Sequence, residues 1–374
     1  MHYFLLLTDE CNLCCTYCRG KIFSVPDQSS EKIEIDDEFP CDLNFPLDSL
    51  YKFLSEDKDP VLTFYGGEPL LKSSLIREIM DNAPPCKYII QTNATLLDSL
   101  GHEYVNRFKS IFASIDGDKK TTDECRGKGT YDTVIRNLKL IKEQGYENEI
   151  VARMTISENN NICESVKYLS SNSDFSFNSV HWQTDSNFWT DFKLRKNYSD
   201  WVYGSYNPGI KRLVNLWTNI MKEEGRVMMW YPFVDTMYDI LSGKKTSPLR
   251  CGSGFENYSI IQDGNIAPCP CMAGLKDFYC GHIRTCTPSS LKKIEIAGDC
   301  CGCDIKNFCG GRCLYSNITR PWPFEGRKIV YDTVKNLKDC IEGKAVEVRD
   351  LIDDGVISME QFSHEKYNGC EIIP

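Results

Sequence analysis

Short apolar runs punctuate the first half of the chain: YFLLLT at 3–8, VLTFY at 61–65, YIIQTN at 88–93, SIFASID at 110–116, EIVARMTI at 149–156 and SVHWQT at 179–184. Each has the length and β-branched or aromatic content of a buried strand. Between them lie segments with helical periodicity. LDSLYKFL from residue 47, LLKSSLIREIM at 70–80 and TLLDSLGHEYVNRF at 95–108 are three. A fourth, TYDTVIRNLKLIKEQG at 130–145, places Val134, Leu138 and Ile141 on one face and stops at Gly145. Strands alternating with helices predict an α/β fold on a parallel sheet, and six units predict a partial (β/α)6 barrel. Ligands of such folds collect at the strand carboxyl ends. The segments that follow those ends are TDECNLCCTYCRG, GGEP, TNAT and SIDG, so they should share one rim.

The rhythm breaks in three places. Residues 20–46 are polar and charge-rich, and read as an insertion or lid. Residues 186–250 have few strand signals; with Trp182 nearby they hold Trp189, Trp201, Trp217 and Trp230, which predicts a bridging helical segment. After residue 250 apolar runs thin out while cysteines return, which predicts a region organised around bound inorganic clusters. A helical stretch at about 329–353 and a tail complete the chain. The expected division is 1–185, 186–250, 251–345 and 346–374, with no repeat of fixed period.

The chain has 374 residues and a formal net charge of −10, which argues against a nucleic-acid binder or an anionic-membrane binder. No apolar run reaches membrane-span length, and the N-terminus lacks a basic lead and a cleavage site. A cytoplasmic protein is expected. Its 20 cysteines are then better explained as metal or cluster ligands than as disulfides.

In TDECNLCCTYCRG, Cys11, Cys15 and Cys18 are separated by gaps of three and two. Three thiolates on one loop suit three corners of a cubane Fe–S cluster. A zinc site usually wants a fourth ligand, and the nearest histidines in sequence are His2 and His102. C-x3-C-x2-C, with Tyr17 just before the last cysteine and a strand just before the first, resembles the radical S-adenosylmethionine (SAM) superfamily over about residues 1–185. Cys14 is read as an idle thiol. The resemblance implies a catalytic 4Fe–4S cluster on Cys11, Cys15 and Cys18. It also implies that Gly66, Gly67, Glu68 and Pro69 contact the SAM ammonium, the glycines allowing close backbone approach. Ser114 and Asp116, in SIDG, are expected to help hold the cofactor, and Arg126 or Arg153 to meet its carboxylate. Either arginine could instead form a structural ion pair. Thr92 and Asn93 stand in TNAT, where the family commonly has T-N-G. The implied chemistry is reductive cleavage of SAM to a 5′-deoxyadenosyl radical that abstracts hydrogen from an unactivated C–H bond.

The second cysteine field, CCGCDIKNFCGGRC at 300–313, contains C-x2-C-x5-C-x3-C in Cys300, Cys303, Cys309 and Cys313. Upstream, Cys251 is followed by twelve residues, Gly264, four residues and Cys269. Together these resemble the SPASM domain, the auxiliary-cluster extension of radical enzymes that modify peptides and proteins. By that resemblance one auxiliary cluster draws on Cys251, Cys269 and Cys313. Its fourth position is left to Cys271, Cys280 or an open iron. The other cluster would use Cys300, Cys303, Cys309 and Cys340, with Cys370 in reserve.

Sulfatase-maturing relatives carry an acidic base just after the cysteine that closes the glycine pattern. Here Pro270 stands there, which weakens serine or cysteine oxidation against thioether formation, cross-linking or epimerisation. No leader-binding domain is seen before the first strand. The residue 20–46 insertion or the Trp-rich bridge could recognise a peptide, although buried core is the plainer role for most of the tryptophans. The ending YNGCEIIP adds a resemblance to peptide-modifying enzymes of methanogenic and other archaea. Ferredoxin or flavodoxin is the expected electron donor. Modification of a small molecule or carbohydrate is the second reading, a multi-cluster electron carrier the third, and a zinc-binding interaction module the fourth.

Overall fold

The structure is a computed structural model that describes residues 1–18, 33–36, 38–186, 192–243 and 249–363. Six strands form its centre: β1 (His2–Leu6), β2 (Val61–Tyr65), β3 (Lys87–Thr92), β4 (Phe108–Ser114), β5 (Glu149–Ile156) and β6 (Ser179–Thr184). They pair parallel and in chain order. All six carboxyl ends therefore lie on one edge, as the alternation of apolar runs predicts.

Helices α1 (Leu47–Ser55), α2 (Ser73–Asn82), α3 (His102–Val105), α4 (Lys119–Arg126), α5 (Thr130–Glu143) and α6 (Ile162–Ser170) connect the strands. Strand periodicity sorts the core. Leu62, Ile90, Ile111 and Ile150 belong to the large cluster with the helices, whereas their neighbours Val61, Ile89, Phe112 and Val151 form a second cluster with Tyr231. The single helix expected over 95–108 is instead a 3₁₀ turn at Leu97–Ser99 and the one-turn α3. Gly101, at φ 87°, interrupts it, and Phe108 already belongs to β4.

The bridge is helical. Helix α7 (Tyr198–Trp201) runs through a π turn into α8 (Asn207–Glu224), and α9 (Tyr231–Ser242) follows. Trp182, Trp201, Trp217 and Trp230 are all buried, so these four belong to the core rather than to a recognition surface. Trp189 lies outside the described residues.

Beyond residue 250 the sheet continues. Strand β7 (Asn257–Ile260) pairs parallel with β1, and β8 (Asn265–Ala267) and β9 (Gly281–His282) follow antiparallel. The hairpin turns at Asp263-Gly264, with Gly264 at φ 94°. Short helices α10 (Lys306–Cys309) and α11 (Leu314–Thr319) carry the second cysteine field. The predicted helix over 329–353 is two helices, α12 (Phe324–Glu342) and α13 (Ala345–Asp353). Of the 20–46 segment, residues 33–36 lie along this extension, while Asp42 and Leu43 pair with Thr8 and Leu7 just after β1. Ile35 bridges Leu275, the Asp36 N–H donates to the Gly274 carbonyl at 2.8 Å, and the Lys276 N–H donates to the Glu34 carbonyl at 3.0 Å.

Candidate active site and cluster-binding thiols

At the rim, the cysteine loop and the GGEP turn pack backbone to backbone. The Gly67 N–H donates to the Thr8 carbonyl and the Glu68 N–H to the Glu10 carbonyl, both at 2.8 Å. A Cβ on Gly66, at φ 146°, would meet the Thr8 carbonyl oxygen at 2.3 Å, and one on Gly67 would meet that of Glu10 at 2.2 Å. These glycines admit the neighbouring loop. Gly66 is half-buried and Gly67 exposed, so an edge of the turn still faces the rim. Pro69 starts a short 3₁₀ turn that Glu68 caps.

The Glu68 carboxylate, expected near an ammonium, is buried and accepts three bonds from this chain. They come from Thr92 Oγ1 at 2.6 Å, the Asn93 N–H at 2.8 Å and the Leu70 N–H at 3.0 Å. Burial pushes its pKa above the ordinary range against the pull of these donors. It ties β2 to β3. Beyond it, Asn93 Nδ2 donates to Asn12 Oδ1 at 2.8 Å and points at Cys11 Sγ at 3.8 Å. The Leu13 N–H reaches the same sulfur at 3.4 Å. Ala94, where T-N-G would have glycine, takes φ 59°, with its carbonyl held by Asn137 at 2.9 Å.

Cys11, Cys15 and Cys18 form one electrostatic set. Burial pushes the Cys11 thiol up and the Cys15 thiol to about 11; Cys18 adds to both shifts, and Cys11 to that of Cys15. Cys14 is exposed on the same loop and is not among the groups acting on either. Among the described residues, no three Cys, His, Asp or Glu side chains stand close enough to hold a single metal ion. The trio, with amide donors aimed at one sulfur, fits a larger cluster held at three corners.

Tyr17, Asp116 and Arg126 form a buried lock under this loop. Asp116 accepts from Tyr17 Oη at 2.6 Å, Arg126 Nε at 2.8 Å, Arg126 Nη2 at 2.9 Å and the Thr155 N–H at 2.9 Å. The Arg126 guanidinium also lies over the Tyr17 ring, 5.4 Å from its centroid. Of the two arginines expected to meet a cofactor carboxylate, Arg126 is thus committed to Asp116, and Asp116 and Tyr17 are committed with it. Arg153 is half-buried, stands beside Ser114 in the β4–β5 register and donates to Gln183 at 2.7 Å.

In the extension, Cys251, Cys269, Cys271 and Cys313 come together. Cys269 is hydrogen-bonded to Cys271, its thiol is raised well above the ordinary range first by that bond, and Cys313 and Cys251 also act on it. Pro270 opens the 3₁₀ turn Pro270–Met272 that brings Cys271 round. Cys313 sits at φ 57°, a strain of about 1–3 kcal/mol for a non-glycine residue. Cys280 is buried elsewhere, its thiol directed at the Phe278 carbonyl at 3.6 Å.

Cys300, Cys303 and Cys309 line a cavity of about 400 Å³. Cys309 Sγ accepts from the Arg312 N–H at 3.1 Å. Cys340, expected as their fourth partner, does not join them. Helix α12 lines the cavity with Phe324, Arg327, Lys328, Val330, Tyr331 and Val334. At 3.6 residues per turn, position 340 falls off that face. Its thiol instead approaches Asn336 at 4.0 Å and feels Lys211. Cys370 lies outside the described residues.

Sequence reasoning missed Asn12 and Arg312. Asn12 Nδ2 donates to Thr95 at 2.9 Å, and Arg312 Nη2 reaches Thr184, at the end of β6, at 3.0 Å. The adjacency of Asn12 to Cys11, and of Arg312 to Cys313, was the available signal.

Residues 5–169 match the model of the Radical SAM superfamily. The matched superfamily is one of enzymes and implies a 4Fe–4S cluster and SAM. The α/β fold carries a cysteine-rich C-terminal extension. A structure described as native anSMEcpe with bound AdoMet and Cp18Cys peptide superposes with TM-score 0.70 at 19% identity, covering 94% of this chain and 99% of that one. Streptococcus suis SuiB bound to precursor peptide SuiA superposes with TM-score 0.53 at 18% identity, over 84% and 72%. Identities this low speak for the fold. An uncharacterized protein of Archaeoglobus fulgidus is 25% identical over 82% of this chain and 72% of its own length. One of Methanocaldococcus jannaschii is 35% identical over 31% and 38%. No helix among the described residues is long and apolar enough to cross a membrane.

Proposed function

We propose that this enzyme modifies a residue of a peptide or protein by hydrogen abstraction. Cys11, Cys15 and Cys18 hold the catalytic cluster in this reading, and Ser114, Arg153 and the exposed edge of Gly66-Gly67 line the SAM site. When bound, the pair supplies a 5′-deoxyadenosyl radical. The Tyr17–Asp116–Arg126 lock and Glu68 keep the two rim loops in register around it. Cys251, Cys269, Cys271 and Cys313 hold one auxiliary cluster, and Cys300, Cys303 and Cys309 a second. Ferredoxin or flavodoxin delivers the electron.

The convergence of Cys251, Cys271 and Cys313 on Cys269 is the observation that supports this reading. Two structural relatives were solved with peptides, which supports a peptide substrate here. Pro270 occupies the position after Cys269 and opens the turn that presents Cys271. The reading therefore favours thioether formation, cross-linking or epimerisation over serine or cysteine oxidation.

The test is anaerobic co-expression with peptides encoded beside the gene, followed by mass spectrometry. Loss of two hydrogens supports cross-linking, thioether formation or oxidation, and deuterium uptake from solvent without other mass change supports epimerisation. A reduced, iron-loaded enzyme that releases no 5′-deoxyadenosine from SAM would overturn the proposal, as would a Cys15→Ala variant that still releases it.

A further inference from the structure

Asn93, buried in the turn after β3, is held from several sides. Its backbone N–H donates to Glu68 Oε2 at 2.8 Å. Its side-chain oxygen accepts from the Thr95 N–H at 3.0 Å and from Thr95 Oγ1 at 2.6 Å, an Asx turn around Ala94 at φ 59°. Two donors on that oxygen settle which end of the amide is which, so the NH2 group points the other way. Asn137, buried on α5, grips the far side of the turn and donates to the Ala94 and Thr95 carbonyls, both at 2.9 Å.

The NH2 group has two hydrogens to place. One goes to Asn12 Oδ1 at 2.8 Å, and Asn12 Nδ2 returns to Thr95 Oγ1 at 2.9 Å, which closes a ring of three side chains. The other is directed at Cys11 Sγ, 3.8 Å from the same nitrogen. The turn after β3 thus delivers a side-chain donor to the first cysteine of the rim trio, and the ring keeps that donor from swinging away. The backbone N–H of Leu13 reaches the same sulfur at 3.4 Å. No side-chain exchange removes that second donor, so mutation separates the two.

An amide bond to sulfur gains strength when the sulfur carries charge. Reduction adds negative charge to a thiolate-held cluster, so a donor on one of its sulfurs stabilises the reduced form. Hydrogen bonds to the sulfurs are among the controls of a cluster's potential. We infer that the Asn93 side-chain amide, through Cys11, raises the reduction potential of the cluster held by Cys11, Cys15 and Cys18. This rests on the rim cluster proposed above. Asn93 acts through a ligand and is therefore a positioning residue. Its effect makes the rim cluster easier for a low-potential electron carrier to reduce.

The test is a potentiometric EPR titration of the anaerobic, iron-loaded full chain, following the signal whose shape changes when SAM is added. Asn93→Ala removes the donor, and Asn93→Asp removes it while keeping an acceptor for Thr95. Both should lower the midpoint of that signal. ENDOR spectra in H2O and D2O should show one exchangeable-proton coupling lost in both variants and the Leu13 coupling kept. A purely structural role would leave both couplings in place. A midpoint or a set of couplings unmoved in the variants overturns the inference alone. So does a rim that loads in the parent and in neither variant, which makes Asn93 part of the scaffold only. A parent with no SAM-responsive signal overturns the inference together with the rim-cluster reading.

Discussion

Asp116→Asn should do more damage than any other single-atom exchange near the rim. The side chains of Asp116 and Arg126 are 0% and 7% exposed, and the carboxylate accepts four hydrogen bonds. An asparagine keeps one acceptor oxygen and turns the other position into a donor, which faces N–H or O–H groups already pointing inward. The guanidinium is left charged, buried and unpaired. Breaking a buried pair from one side costs about 3–5 kcal/mol. Tyr17→Phe removes one hydrogen bond to a charged group and should cost less, about 1.5–3 kcal/mol. The damage is local as well, because Tyr17 lies between Cys15 and Cys18. Urea unfolding followed by tryptophan fluorescence under anaerobic conditions measures the first effect. Iron content and 5′-deoxyadenosine release measure the second. Asp116→Asn should lose the rim cluster while retaining iron in the extension. A variant that loses under about 1 kcal/mol, or that loads the rim trio like the parent, would show that the lock does not hold the loop.

Cys271→Ala should remove iron from the first extension site, whereas Cys280→Ala should leave iron and absorption unchanged; equal losses from both would refute the four-cysteine set. Cys340→Ala should keep full iron loading, since its thiol faces Asn336 and Lys211, and a loss would return it to the ligands. Burial, then the nearby Met1 ammonium and Lys87, lower the His2 pKa from the ordinary 6.5 to about 4. A lowered pKa means that the folded chain binds this proton less readily than the unfolded one. Its contribution to stability is therefore complete above pH 6.5 and lost as pH falls toward 4. His2→Gln should flatten the stability profile in that window, and an unchanged slope would contradict the assignment.

The six parallel strands were legible because both faces of each are buried, so apolar runs mark them without ambiguity. Strands β7, β8 and β9 were not, because they are only two to four residues long and partly polar. The Asp263-Gly264 pair between YSII and NIA was the readable sign of that hairpin. Which residues belong to the rim was visible in the order of motifs. Which of them are committed to one another was not, since nothing in GGEP or SIDG says that Glu68 meets Thr92 or that Asp116 meets Arg126. Those pairings depend on neighbouring strands whose register only the sheet reveals. Cys340 shows the same limit from the other side: count and spacing offered it as a ligand, and helix phase turned it away.

Strand β1 has β2 on one side and β7 on the other, so a chain cut at residue 250 would strip one flank of HYFLL. The cut would expose a row of unpaired amides and carbonyls on an apolar strand, a template for sticking to other copies. The cysteine-rich extension is therefore no detachable accessory. Whatever chemistry its cysteines serve, it also seals the seam from which the Cys11–Cys18 loop springs.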